Sequence, residues 1–217
     1  MAPQSVYTLH EKNNCDDMAL FVDALDIQLM LLSVLLIISA YVVALVSFKS
    51  KDPNTKNMLK GTGLFFIVVG AYAFITGIAG TILWQLPSSY NIVLSDPWAF
   101  AGIISLMLGF ALFYNVDLKS IITPMLFLGI IPIVYAVVIL AFGMTSAPIM
   151  AFGMYGLIGA SMMLSPLAIY PKEKTKRIFA ILIVILLILA ALISMVIGVG
   201  AAFQHIGDFK AWVPPYS

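Results

Sequence analysis

Six long apolar segments alternate with short polar connections along most of this chain. Most of the segments reach the ~20 residues that an α-helix needs to cross ~30 Å of hydrocarbon. The pattern therefore predicts an all-α, polytopic membrane protein with six transmembrane helices, which together form one helical domain. The predicted segments are residues 24–48, 59–84, 98–114, 121–144, 148–170 and 178–203.

The composition agrees with this class of protein. Hydrophobic residues make up 62% of the chain, charged residues only 10%, and the mean hydropathy is +1.08. A water-soluble fold has too little interior to hide so much apolar surface.

Nine of the eleven basic residues lie in three of the connections, and this asymmetry predicts the orientation. Of the eleven Lys and Arg residues, only Lys12 and Lys210 lie elsewhere. Because Lys and Arg stay on the cytoplasmic side of a bilayer, we expect three hairpins with cytoplasmic tips and both termini outside the cell membrane. The domains would be an extracytoplasmic polar tail at 1–23, the transmembrane domain at 24–205 and a second extracytoplasmic tail at 206–217. The nine clustered residues are Lys49, Lys51, Lys56, Lys60, Lys119, Lys172, Lys174, Lys176 and Arg177.

The connection at 84–97 is the longest one expected outside the membrane. Its apolar stretch 90–94 is expected to lie flat on the bilayer surface or to dip into an outer vestibule. Asp96 and Pro97 then suit the N-cap and first turn of helix three. All three tryptophans, Trp84, Trp98 and Trp212, map to the outer interface, where aromatic rings prefer headgroup depth.

Helix four contains a proline near the middle of the membrane. Pro132 lacks the N–H that would bond to the carbonyl of Leu128, so a kink is expected there. Broken helices at this depth sometimes form solute sites, although kinked helices without a function are common.

Small residues recur at helix-packing intervals in two segments. Helix two has glycines every seven residues, and helix six has small residues every four, which lets a neighbouring helix approach closely. Plain helix packing explains both, and room for a pore is the functional alternative. The residues are Gly63, Gly70 and Gly77, and Ala190, Ser194 and Gly198.

The central turns of the predicted helices contain no Asp, Glu, Lys, Arg or His. Membrane enzymes and ion-coupled transporters need such groups at membrane depth. We therefore expect no enzymatic activity, no cofactor and no metal. The neutral polar groups left as solute-lining candidates are Tyr72, Thr76, Tyr135, Tyr155 and Ser161, with interhelical hydrogen bonds as the alternative role.

A histidine lies where helix six leaves the membrane. His205 could change charge between about pH 5 and 8 and move an outer loop against Asp208 or Asp96. A plain interfacial role without switching is the alternative.

The layout resembles the acid-activated urea channel and amide transporter family. The local match is residues 109–119, GFALFYNVDLK, an aromatic, Asn and Leu-Asp run before a basic residue at the predicted cytoplasmic turn. The resemblance implies three hairpins around a pore inside each protomer and assembly of protomers into a ring. No pore residue of that family can be matched to this sequence. The composition also resembles uncharacterised six-span membrane proteins of archaea.

Two functions of different classes fit these observations. One is a passive channel or facilitator for a small uncharged solute such as urea or an amide. The other is a non-catalytic accessory or scaffolding subunit of a larger membrane complex. In both cases the partners are the lipid bilayer and further copies of the chain or other membrane subunits, not nucleic acid.

Overall fold

A computed structural model describes residues 24–49, 52–86 and 88–209, and it contains six helices long and apolar enough to cross a membrane. The expected all-α, six-span architecture is confirmed. The fourth span is divided into two helices and the fifth ends in a 3₁₀ turn. The elements are α1 Leu25–Phe48, α2 Thr55–Leu83, α3 Tyr90–Tyr114, α4 Leu118–Leu128, α5 Ile130–Ala141, α6 Pro148–Leu164, the 3₁₀ turn Ser165–Ala168, and α7 Glu173–Phe209.

The spans form a ring in chain order. Each span contacts the next one, and α7 returns to pack against α1. Contacts are most extensive within the pairs α2/α3, α1/α7 and α5/α6, whereas α3 makes few contacts with α1, α4 or α5. The ring therefore encloses interior space beside α3.

The clustered basic residues lie in three connections or in the first turns of the helices that follow them, and these all lie at one end of this ring because successive spans alternate in direction. We call this the basic end. A hydrogen bond of 2.7 Å between the hydroxyls of Thr123 and Tyr170 joins the start of the fourth span to the end of the fifth there. The α2–α3 and α5–α6 connections lie at the opposite end.

The glycines of helix two face α3 inside the chain. A Cβ on Gly77 would lie 2.3 Å from the Ala99 nitrogen, and one on Gly63 would lie 2.7 Å from the Phe113 nitrogen. A Cβ on Gly70 would similarly come within 2.8 Å of the Ser105 Cβ. Only glycine permits this close approach of two backbones, so the seam is used for packing within the protomer.

The small residues of helix six lie against α1. The Ser194 hydroxyl donates to the Leu29 carbonyl at 2.8 Å, while the Ser33 hydroxyl of α1 donates back to the Ala191 carbonyl at 2.8 Å. One turn on either side of Ser194, Ala190 is fully buried and Gly198 lies against Leu29 and Met30. These reciprocal bonds join the first and last spans and so close the ring.

The expectation for the long outer connection is wrong. Residues 90–94 are the first turn of α3, whose N-cap is Ser89, and Pro97 lies inside the helix. The shortest predicted span is therefore a helix of 25 residues. Tertiary contacts explain the longer helix, because groups of α2 and of the α2–α3 connection form hydrogen bonds with the polar side chain of this stretch.

Asn91 supplies one of these partners. Its side chain is fully buried, its Nδ2 donates to the Gly80 carbonyl at 3.1 Å, and its Oδ1 accepts from the Leu86 backbone N–H at 3.1 Å. The side chain thereby holds the end of α2 and the following connection against the first turn of α3.

Trp98, which the sequence places at the start of helix three, is not at the start of that helix. Since α3 starts eight residues earlier than expected, Trp98 falls within the helix, where it is only 4% exposed. Trp84 does lie at the end of α2 and is half exposed, and Trp212 lies outside the described residues.

The fourth span breaks where Pro132 predicts it. Helix α4 ends at Leu128 and α5 starts at Ile130. Gly129 at the break packs against α6, where an added Cβ would lie 2.8 Å from the Gly159 carbonyl oxygen. The close packing fixes the break in place beside α6.

Candidate functional site

An elongated cavity of about 200 Å³ lies inside the ring. Helix α1 lines it from Leu25 to Ser47, a rise of about 33 Å at ~1.5 Å per residue. The other walls come from α3, α4, α5 and α6, with Ile183 and Leu187 from α7 and only Phe66 from α2. Most of the wall is aliphatic. The polar residues on it are Gln28, Ser39, Ser47, Ser105, Tyr135, Tyr155, Ser161 and Ser165.

Three of the five predicted lining residues meet at this cavity. Tyr135, Tyr155 and Ser161 lie on its wall. Tyr72 and Thr76 do not: Tyr72 is 39% exposed on α2, and the Thr76 hydroxyl donates to the Tyr72 carbonyl. Their placement on α2 explains the difference, because α2 packs behind α3 rather than around the cavity.

The Tyr155 hydroxyl satisfies a carbonyl that a proline has left without its helical donor. Pro97 has no N–H to bond to the carbonyl of Val93, four residues earlier in α3. The Tyr155 hydroxyl, from α6, donates to this carbonyl at 3.0 Å in a buried position. The bond connects α6 to α3 across one end of the cavity.

Tyr135 makes a second connection to α3. Its hydroxyl donates to Oδ2 of Asp96 at 3.3 Å, and the Thr81 hydroxyl from α2 donates to Oδ1 at 2.8 Å. Asp96 therefore receives hydrogen bonds from two different helices. The sequence suggested this carboxylate as the N-cap of helix three, but it lies in the second turn of α3 and is partly buried.

The two tyrosines are the last lining residues on α5 and α6 toward the opposite end, whereas on α1 the lining continues to Leu25. Among lining residues, Tyr135 is the one nearest the opposite end on α5, and Tyr155 is the one nearest that end on α6. Their rings lie side by side, with centroids 6.4 Å apart. Beyond them the helices pack tightly around Ile139 and Met154, both nearly inaccessible to solvent.

A few serine hydroxyls on the aliphatic wall can act as hydrogen-bond acceptors. Ser39 donates to the Leu35 carbonyl at 2.8 Å, and Ser161 donates to the Ile158 carbonyl at 2.7 Å. Each hydroxyl donates its hydrogen bond to a carbonyl of its own helix, and the lone pairs on its oxygen remain able to accept. A solute with O–H or N–H groups can donate to those oxygens.

His205 pairs with a different carboxylate from the two expected. Its Nδ1 lies 2.9 Å from Oδ1 of Asp26 in the first turn of α1, near the opposite end. Asp96 is bound to Thr81 and Tyr135 instead, and the Asp208 side chain lies outside the described part of the structure. The His205–Asp26 pair joins the first and last helices, and α7 itself continues four residues past the predicted domain boundary, to Phe209.

The cavity offers no cluster of metal-ligand side chains. Among the described residues, no group of three or more His, Cys, Asp or Glu side chains lies close enough together to hold a metal ion.

The ring of six apolar, membrane-length helices around an interior cavity defines a polytopic α-helical membrane protein. The chain belongs to the family described as "Protein of unknown function (DUF981)", whose model matches residues 18–208. A comparison with curated proteins finds no match, and a comparison with solved structures finds none either.

Proposed function

We propose that the protein is a passive channel or facilitator for a small uncharged solute. The observation that carries this proposal is the cavity at the centre of the helical ring, which follows α1 for most of its length. A path of that length inside one protomer is what conduction across the bilayer requires.

The chemistry of the wall favours an uncharged solute. Among the described residues, those that line the cavity include no Asp, Glu, Lys, Arg or His. An ion in such an aliphatic passage would lose its hydration shell without gaining a charged or densely polar replacement. A neutral molecule loses far less, and the lining hydroxyls can receive its hydrogen bonds.

Urea or a short amide is the solute we propose first. The resemblance in layout to the urea channel and amide transporter family supports this choice, since that family places a pore inside each protomer. The distribution of basic residues supports a cytoplasmic basic end and both termini outside the cell membrane.

The accessory-subunit alternative has less support. It relied on glycine and small-residue seams that could bury against partner chains. Gly63, Gly70 and Gly77 are packed against α3, and Gly198 is packed against α1, so these seams are occupied within the protomer.

A cavity-filling substitution tests the proposal. Ala101 lines the cavity, and a tryptophan there would fill much of the available volume. Ile75→Trp is the matched control, because Ile75 is 66% exposed on α2 and away from the cavity. Purified protein in proteoliposomes should accelerate urea-driven swelling over empty vesicles, Ala101→Trp should remove most of the acceleration, and Ile75→Trp should retain it.

Two results would count against the proposal. If vesicles with the unmodified protein swell no faster than empty vesicles, the protein does not conduct the tested solute. Equal loss in both tryptophan variants would show that bulk, rather than the cavity, matters.

A further inference from the structure

We infer that the cavity also takes up one hydrocarbon chain of a membrane phospholipid, which enters sideways between α3 and the two helices of the fourth span. This inference goes beyond the proposed function, since it does not require that any solute crosses. It concerns the same space of about 200 Å³, so a bound chain and a solute would exclude each other. The lipid would therefore compete with the solute wherever the protein conducts.

The wall of the cavity suits a hydrocarbon guest. Most lining residues are aliphatic, and Ser39, Ser161 and Tyr155 each donate their hydroxyl proton to a backbone carbonyl. An apolar cavity of similar size inside a protein stays dry and binds apolar guests. In a bilayer, the apolar guest that is present in excess is the chain of a lipid.

The junction between α3 and the fourth span is packed at both ends. Toward the opposite end, Val93 of α3 belongs to the same buried cluster as Ile139 of α5. At the basic end, Leu118 of α4 packs against the cluster that contains Leu112 of α3. Overall, however, α3 makes few contacts with α4 or α5, whereas it packs extensively against α2, and α5 packs extensively against α6. The wall of the ring is therefore least packed between the two ends of this junction.

The loose stretch of the junction is lined by apolar side chains. None of them belongs to a buried cluster of the described residues, and Ile131 is 37% exposed although it lines the cavity. A chain that passes between apolar side chains breaks none of their hydrogen bonds, because they make none. We call this stretch the lateral seam; its residues are Phe100 and Ile104 on α3, with Ile122 and Ile131 on the fourth span.

The lateral seam lies at the depth of the lipid chains. Phe100 and Ile104 flank the midpoint of α3, and Ile131 lies just after the break halfway along the fourth span. Residues midway along a helix of membrane length lie in the hydrocarbon core of the bilayer. Inside the seam the cavity follows α1 for about 33 Å, whereas one lipid chain covers about half of the ~30 Å core. The elongated space is therefore long enough for a linear chain.

Fluorescence quenching by a brominated lipid tests whether a chain reaches the cavity. Trp98 is the reporter, because it lines the cavity and is only 4% exposed. Trp84→Phe and Trp212→Phe leave it as the only tryptophan. The protein is placed in nanodiscs of phosphatidylcholine with or without bromine at mid-chain. Because bromine quenches indole fluorescence only near contact, most of the Trp98 emission should be lost in the brominated lipid.

Filling the cavity should prevent this quenching. Ala101→Phe fills the space one helical turn from Trp98, and Ile104→Phe fills it at the lateral seam. A denaturation midpoint identifies which of the two variants fold, and each folded variant should regain most of the lost emission. Ile75→Phe is the matched control, because Ile75 is 66% exposed on α2 and its replacement should leave the quenching unchanged.

The entry route is tested by the rate at which quenching develops. The protein in detergent micelles is mixed with micelles that contain the brominated phosphatidylcholine, and the Trp98 emission is followed over time. Ile131→Phe adds bulk at the lateral seam and should slow the quenching severalfold. Val134→Phe is the control on the same helix, because Val134 is 53% exposed and does not line the cavity. Equal slowing by both variants would overturn the assigned route.

The outcomes separate this inference from the proposed function. Equal Trp98 emission in the two lipids would overturn the chain site, even if urea-driven swelling is present. Quenching that persists unchanged in the folded cavity-filling variants would overturn it as well, because bromine would then reach Trp98 from outside the ring. If these variants remove the quenching and the unmodified protein shows no swelling above empty vesicles, the chain site is supported and conduction is not.

Discussion

At the scale of single residues, the α3 proline is accommodated by a partner on another helix. A proline inside a helix normally costs stability, because it removes a backbone hydrogen bond and leaves a carbonyl without its donor. Here the Tyr155 hydroxyl provides the missing donor to the Val93 carbonyl. Tyr155 also lines the cavity, so one contact serves both the fold and the candidate site.

This arrangement predicts a specific rescue. Tyr155→Phe should lower the free energy of unfolding by about 1–3 kcal/mol, because the buried Val93 carbonyl loses its donor. Pro97→Ala in the Tyr155→Phe background should recover most of the loss, since the alanine N–H can bond to that carbonyl. The measurement is reversible unfolding in mixed micelles. If Pro97→Ala stabilises the protein equally with Tyr155 present, the explanation is wrong.

The sequence could not reveal these pairings. It identified Tyr135, Tyr155 and Ser161 as polar groups at membrane depth, and these line the cavity. It could not show that Tyr155 would meet Val93, which lies 62 positions away. Asp96 followed by Pro97 has the local pattern of a helix start, and only the contacts with Thr81 and Tyr135 place the carboxylate inside α3.

At the scale of helices, the close packing of α2 on α3 depends on glycines from both. The seven-residue spacing of Gly63, Gly70 and Gly77 was visible in the sequence. The complementary pair on α3, Gly102 and Gly109, has the same spacing, and its added Cβ atoms would lie 2.3 and 2.8 Å from backbone atoms of α2. A comparison of glycine spacing between predicted helices would have identified α3 as the partner.

A matched pair of alanine substitutions tests this packing. Gly77→Ala should destabilise the protein by about 1–3 kcal/mol, because its Cβ would lie 2.3 Å from the Ala99 nitrogen and the helices would have to separate. Gly61→Ala, on the same helix with open space around it, should be neutral or stabilise by up to about 1 kcal/mol. The measurement is the denaturation midpoint of each variant. Similar effects of the two substitutions would show that helix propensity, not packing against α3, determines how glycine replacements in α2 change stability.

At the scale of the whole molecule, the sequence predicted the number of spans but not their arrangement. Six apolar runs of membrane length predict six crossings, almost independently of the particular side chains in each run. Which crossings pack tightly depends on shape, and the most extensive pairs are α2/α3, α5/α6 and α1/α7 rather than the hairpins joined at the basic end. Small residues, and in α1/α7 also Ser33 and Ser194, let two of these pairs approach closely.

The arrangement of the basic residues leads to a prediction about orientation. Lys and Arg near short connections resist translocation, so the basic end should face the cytoplasm. In a Cys15→Ser background, Gln85→Cys lies in the α2–α3 connection at the opposite end, and Ser120→Cys lies at the basic end; both positions are exposed. A membrane-impermeant maleimide should label the cysteine at 85 in intact cells and should label that at 120 only after permeabilisation. Labelling of position 120 alone in intact cells would show that the topology is the reverse of the predicted one. Equal labelling of both positions would indicate insertion in two orientations. Either result would contradict the prediction that the basic end faces the cytoplasm in every copy.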